Sequence, residues 1–191
     1  TFDKVNFSYE PDNPVLKNVD FVITPGMRVA IVGPTGAGKT TIVNLLSRFY
    51  NPDEGKIMID GLDINDLTIK SIRQQVGVML QDSFLFTGSI IDNIRYGRLD
   101  ATDEECMNAA KAVQAHEFIS AFPDGYNTQL SANGGGLSAG QKQLISFARV
   151  LLSDPRILIL DEATSSVDTQ TEKDLQKGLD ELLKHRTSFI I

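Results

Sequence analysis

Arg28-Val29-Ala30-Ile31-Val32-Gly33-Pro34-Thr35-Gly36-Ala37-Gly38-Lys39-Thr40-Thr41 decides the fold. The aliphatic, β-branched run at its start reads as a buried strand, Arg28–Val32, and a glycine-rich turn follows. Thr40–Phe49 then carries Ile42, Leu45, Leu46 and Phe49 at helical spacing. Within the turn, Gly33 to Thr40 matches G-x-x-x-x-G-K-[ST] in full, in the strand-to-helix context the pattern requires. Glycines let backbone N–H groups turn inward around oxyanions, and a helix N-terminus adds positive potential. Lys39 can reach β- and γ-phosphates, and the Thr40 hydroxyl can ligate Mg²⁺. Gly33, Pro34, Thr35, Gly36, Ala37, Gly38, Lys39, Thr40 and the adjoining Thr41 are therefore candidate nucleotide-binding residues. A GTPase should also carry N-K-x-D and D-x-x-G, and neither occurs; a small-molecule kinase stays open on the loop alone.

Outward from this stretch, Phe2–Tyr9 and Val19–Ile23 read as strands before it, and Lys56–Asp60 and Val76–Leu80 as strands after it. Thr102-Asp103-Glu104-Glu105 opens a helix through about Gln114, and a second short helix covers His116–Ala121. Residues 82–135 hold little strand signal and suggest a helical insertion. Helix pattern returns at Ala139–Leu152 and stops at Pro155; strand Ile157–Leu160, helix Thr171–Lys184 and strand Ser188–Ile191 follow. Strands alternating with helices predict an α/β fold: a P-loop NTPase core with a mostly parallel sheet. An N-terminal antiparallel β element and a helical subdomain complete the expectation. The division is one domain over 1–191, with 1–81 and 154–191 as core and about 82–153 as helical subdomain.

Composition narrows the classes. With 41% apolar and 23% charged residues among 191, the chain can bury a sizeable core and is not of disordered type. Lys and Arg number 18 against 25 for Asp and Glu, and the resulting −7 argues against broad nucleic-acid or anionic-membrane binding. Cys106 is the single cysteine, which excludes an internal disulfide and suits a reducing, cytosolic compartment. It shares a helix face with Ala109, Ala110 and Val113 and reads as packing. No stretch approaches the ~18–20 consecutive apolar residues that span a bilayer. The chain starts without Met and stops inside an apolar run, so both ends read as cuts in a longer protein.

Two further motifs follow. Arg156-Ile157-Leu158-Ile159-Leu160-Asp161-Glu162 is an apolar strand ending in two acids. In a parallel sheet its C-terminal end emerges at the edge of the phosphate loop, where Asp161 would hold Mg²⁺ and Glu162 could polarise a water for in-line attack. Leu137-Ser138-Ala139-Gly140-Gln141 opens a helix, a Ser-capped start whose N–H groups form a second anion site.

At these residues the chain resembles the ATP-binding cassette (ABC) ATPases, whose signature reads L-S-G-G-Q; Ala139 replaces its third residue, small for small. The similarity covers essentially the whole chain, with motifs in family order. It implies that Tyr9 stacks on adenine and that Gln81 senses Mg²⁺ and the attacking water. It also implies that Ser138, Gly140 and Gln141 close on the γ-phosphate of a second, head-to-tail nucleotide-binding domain. Ser165-Ser166-Val167-Asp168 matches the pattern S-A-L-D, which implies a role for Asp168 across that dimer; Thr169-Gln170-Thr171-Glu172 also reads as a capping box. Gln81–Phe86 and Gly88–Gly97 resemble the exporter branch, where the cassette sits behind a transmembrane domain at the cytoplasmic face of the membrane. Phe84–Phe86 would present apolar side chains to that domain. Mg-ATP hydrolysis is the implied activity, with Glu162, Lys39 and Gln81 catalytic and Thr40, Gln81 and Asp161 on the metal.

The chain departs from the family pattern twice. Exporter cassettes carry a Glu just before the signature, where this chain has Ser131-Ala132-Asn133-Gly134. A histidine that contacts the γ-phosphate should follow the strand Ser188–Ile191, and His185, which precedes that strand, belongs at the opposite edge. Residues 1–191 are therefore expected to bind ATP and to turn it over poorly. A soluble ABC-type ATPase acting on ribosomes or DNA is the competing expectation, opposed by the charge and by the exporter-like 81–97 stretch.

Overall fold

Phe2, Val5 and Phe7 turn their side chains inward from β1 (Phe2–Glu10), which folds back on β2 (Asn13–Phe21) as an antiparallel hairpin in the computed structural model. The structure describes residues 1–79, 84–161 and 169–191. β2 starts well before the expected Val19. Repeated register shifts along the hairpin break the two-residue alternation, so its outer half does not read as a strand. β3 (Arg28–Ala30) leads through the glycine-rich turn into α1 (Lys39–Leu46). β4 (Glu54–Ile59) pairs antiparallel with β1 and turns at Asp60-Gly61, both at positive φ, into β5 (Leu62–Asp63). These strands form a sheet of order β2-β1-β4-β5, the expected antiparallel element.

α2 (Ile69–Gln75) is capped by Thr68, whose hydroxyl accepts from Ser71 N–H at 3.1 Å, and runs into β6 (Val76–Met79). The helix buries only Ile72, which leaves no periodic stripe to read. β7 (Gly88–Ser89) feeds α3 (Ile90–Arg95); α4 (Asp103–Ala112) and α5 (His116–Ser120) follow, and β8 (Gln129–Leu130) returns to pair with β7. The middle of the chain is thus helical, as expected, with one two-stranded ribbon added. Thr102 closes the predicted capping box with Glu105 at the start of α4. α6 (Ala139–Ser153) ends at Asp154 in the left-handed conformation just before Pro155. β9 (Ile157–Leu160), α7 (Thr169–Leu183) and β10 (Thr187–Ile190) complete the chain.

The second sheet is parallel, in the order β3-β10-β9-β6. Its strands alternate between two apolar cores, which is why they read as continuous aliphatic runs. Met79, Leu158 and Leu160 face a core built with α3, α4 and α6; Val76, Ile159 and Phe189 face the core shared with α1 and β1. Cys106 is fully buried in the former, and burial pushes its thiol up. Among the described residues, no helix is long and apolar enough to cross a membrane.

Candidate functional site

The C-terminal ends of β3, β10 and β9 open on one cleft of about 640 Å³. Tyr9 and Val15 line one end of it. Gly33, Thr35, Gly36, Gly38, Lys39, Thr40 and Thr41 line the floor, and Asp161 and Ile191 complete the wall. The acid strand is not the immediate neighbour of the loop strand. β10 lies between them, a separation of roughly 10 Å at ordinary strand spacing, so Asp161 faces the loop across the end of β10.

The loop is set by its own backbone chemistry. Gly36 and Gly38 hold φ values of 84° and 87°, which side-chain-bearing residues rarely adopt. Lys39 Nζ donates to the Gly33 carbonyl at 2.8 Å and the Pro34 carbonyl at 3.0 Å, which satisfies those two oxygens within the loop. Ala37 N–H closes the turn on Pro34 O at 3.1 Å. Pro34 and Ala37 therefore shape the loop and do not line the cleft. No side chain caps α1 at Gly38, so its first N–H groups await an external acceptor.

Tyr9 is fastened to the same helix. Its hydroxyl donates to Thr41 Oγ1 at 3.3 Å and accepts from Asn44 Nδ2 at 3.1 Å, and the residue is 47% exposed and lines the cleft. The structure thus gathers Tyr9, Lys39, Thr40, Thr41 and Asp161 at one place. Ser138, Gly140 and Gln141 are not among the residues lining this cleft. They open α6 as a closed capping box: Ser138 Oγ accepts from Gln141 N–H at 3.2 Å, and Gln141 Oε1 accepts from Ser138 N–H at 3.0 Å. Gln81, Glu162, Ser165, Ser166, Val167 and Asp168 lie outside the described residues.

The cleft fits a magnesium triphosphate. Thr40 and Asp161 offer one hydroxyl and one carboxylate, and among the described residues no group of three or more His, Cys, Asp or Glu side chains gathers that could hold a metal unaided. Such a sparse set suits an ion that keeps waters and takes its remaining ligands from phosphate oxygens. His185 sits where expected, lining a separate cavity with Arg156 and Thr187 at the N-terminal ends of β9 and β10.

A second feature escaped the sequence reading. Arg149, on α6, donates from Nη1 to Phe84 O at 2.9 Å, from Nε to Asn93 O at 2.9 Å, and from Nη2 to Asn93 Oδ1 at 3.0 Å. Asn93 in turn holds both the N–H and the carbonyl of Phe86, at 2.8 and 2.9 Å. Burial lowers the guanidinium pKa, opposed by Tyr96. Above it the rings of Phe84, Phe86 and Tyr96 form a connected, solvent-facing cluster. Nothing in one sequence distinguishes this arginine from a solvated one within an amphipathic helix; only the fold brings residue 149 to residues 84–96.

The family model described as ABC transporter matches residues 16–165. The chain is 56% identical over its whole length to the uncharacterized ABC transporter ATP-binding protein YfiC of Bacillus subtilis (strain 168), covering 32% of that protein. It is 52% identical, again over its whole length, to the fatty acid ABC transporter ATP-binding/permease protein of Mycobacterium bovis, covering 30% of it. A solved bacterial Atm1-family ABC exporter with ATP bound matches all of this chain at a TM-score of 0.90 and 46% identity, with 33% of that structure covered. The chain thus spans about a third of the length of the curated relatives it matches.

Proposed function

From the premise that this chain belongs to the ABC transporter family, as an ATP-binding domain of its exporter type, we propose that it hydrolyses Mg-ATP to drive transport by a membrane-embedded partner segment. The observation that carries the proposal is the cleft that joins the uncapped N-terminus of α1 to Lys39, Thr40 and Asp161.

Tyr9 stacks the adenine. The free N–H groups of the 33–41 loop and the Lys39 ammonium take the phosphates, the ammonium exchanging its two carbonyl contacts for phosphate oxygens. Thr40, Gln81 and Asp161 hold Mg²⁺, which when bound neutralises charge on the phosphate oxygens. Glu162, next to Asp161 in the chain, orients a water and accepts its proton as it attacks. The division into a core of 1–81 and 154–191 and a helical subdomain of about 82–153 places the Ser138 end of α6 on the helical part.

Ser138, Gly140 and Gln141 complete the site of a second domain, head to tail. Ser138 is exposed and retains an O–H to donate, because its oxygen only accepts within the capping box. ATP then favours a closed pair, and hydrolysis removes that bias. Phe84, Phe86 and Tyr96 offer an apolar surface, braced by Arg149, for the transmembrane segment at the cytoplasmic face of the membrane.

The test is ATP turnover by the full-length protein in liposomes, alongside Lys39→Ala and Glu162→Gln. Both variants should lose turnover, while Glu162→Gln retains ATP and accumulates the closed dimer. Turnover by Glu162→Gln at the wild-type rate, or no ATP uptake by the wild type, would refute the proposal.

A further inference from the structure

We infer that the Tyr9 hydroxyl is a tether and not a reader of the base, and that Asn44 is a positioning residue that holds the ring ready for stacking. The inference rests on the nucleotide-site reading above. A phenolic hydroxyl has one proton to donate, and Tyr9 gives it to Thr41 Oγ1, a side chain 5% exposed. The same oxygen accepts from Asn44 Nδ2, one turn further along α1. Both anchors belong to the helix that Lys39 begins, so the base platform and the phosphate cradle share one rigid element.

The ring body is braced as well. Phe7 and Tyr50 each meet it at 87°, with centroids 4.9 and 5.0 Å away, and neither lies parallel over it. An exposed tyrosine on a strand end would ordinarily lose rotamer freedom when a base stacks on it. A ring fixed at its tip and packed against two neighbouring rings has lost that freedom during folding, and the ligand gains the difference. With its hydroxyl committed to the protein, the ring offers the ligand a π-surface, and stacking of that kind tolerates different bases.

Asn44→Leu removes the amide at similar size and leaves the Thr41 bond, whereas Tyr9→Phe removes both bonds and keeps the ring. The experiment is calorimetric titration of the full-length protein with Mg-ATP, Mg-GTP and inorganic tripolyphosphate. Asn44→Leu should weaken ATP about fivefold, the effect of one neutral hydrogen bond, and Tyr9→Phe, which loses both bonds, should weaken it further. GTP should weaken by the same factor in each case, and tripolyphosphate should bind each variant as it binds wild type. The double variant should be no weaker than Tyr9→Phe, because Asn44 acts only through the hydroxyl. Unchanged ATP affinity in Asn44→Leu, additive losses, a loss confined to one base, or an equal loss for tripolyphosphate would each overturn the tether. Failure of wild type to bind either ATP or tripolyphosphate would instead overturn the nucleotide-site reading itself.

Discussion

Gly38→Ala probes the loop most directly. Gly38 holds φ at 87°, and a Cβ there would meet Leu16 Cδ2 at 2.8 Å and Val15 Cγ1 at 3.4 Å. Leu16 is buried in the core shared with α1 and β1, but the clash falls on the flexible end of its side chain, so the conformational penalty decides most of the outcome. A side-chain-bearing residue in the left-handed region costs about 1–2 kcal/mol. Residues 33–37 are exposed though Gly38 is buried, and the Lys39 contacts to Gly33 and Pro34 plus one turn bond hold the loop closed, so it should yield by rotating Gly38 toward negative φ. That rotation turns N–H groups at the start of α1 away from the bowl. The penalty should therefore appear in ligand affinity, as a loss of roughly fivefold to thirtyfold for ATP, converted at tenfold per ~1.4 kcal/mol. Thermal stability without nucleotide should change by no more than about 2 °C, because residues 33–37, which take up the movement, are exposed and contribute little to either core. The assay pairs ATP titration with a melting curve for the same protein. An Ala variant that binds ATP within about twofold of wild type would refute the reasoning, as would a large fall in melting temperature with affinity retained.

Two further outcomes are expected. Gly97→Ala should destabilise the fold by about 3 kcal/mol or more in denaturant titration. Its Cβ would lie 2.0 Å from the Arg149 backbone carbonyl, an obstacle that no rotamer change removes, and a cost below about 1 kcal/mol would contradict the packing of α3 on α6. Tyr126, within 2.9 Å of His116 Nδ1, has its phenol pushed up to about 12 by burial, so the unfolded chain releases that proton first as pH rises. Stability should fall from about pH 10 to about pH 12, and Tyr126→Phe should flatten that decline.

How much of this was legible depended on the range over which each signal acts. β9 was read to the residue, because four aliphatics between Arg156 and Asp161, three of them fully buried, mark their own limits. The P-loop was equally plain, since its geometry is local and its glycines are required by backbone φ. The capping box at Thr102 and the Ser cap at Ser138 lie within four residues and were read at α4 and α6; the return bond from Gln141 to Ser138 N–H was not. β2, α2 and the β7–β8 ribbon were not, because pairing across distant residues or a single buried side chain sets them. For the same reason Asn44, Asn93 and Arg149 were invisible: each acts on a residue 7 to 65 positions away. The position of β10 between the loop strand and the acid strand was missed too, since topology sets strand order and adjacency in the chain does not.

The two anion-seeking helix starts also differ in a way composition does not reveal. α6 satisfies two groups of its own first turn, with Ser138 and Gln141 each accepting from the other's N–H. α1 has no such device; glycine at its cap leaves the first N–H groups without a side-chain acceptor. Electrostatics then ranks them. A helix start without an internal acceptor gains a full set of charge-assisted bonds from a phosphate, whereas a partly self-capped one gains fewer, from the N–H groups of Ala139 and Gly140 and the hydroxyl of Ser138. The α1 end should therefore hold nucleotide by itself, and the α6 end should contribute only against a phosphate already held elsewhere. That order of strength is what a second domain closing over a loaded site requires, and Ser138→Ala should accordingly spare ATP binding while slowing turnover. Weakened ATP binding in Ser138→Ala with dimerisation blocked would reverse the ranking.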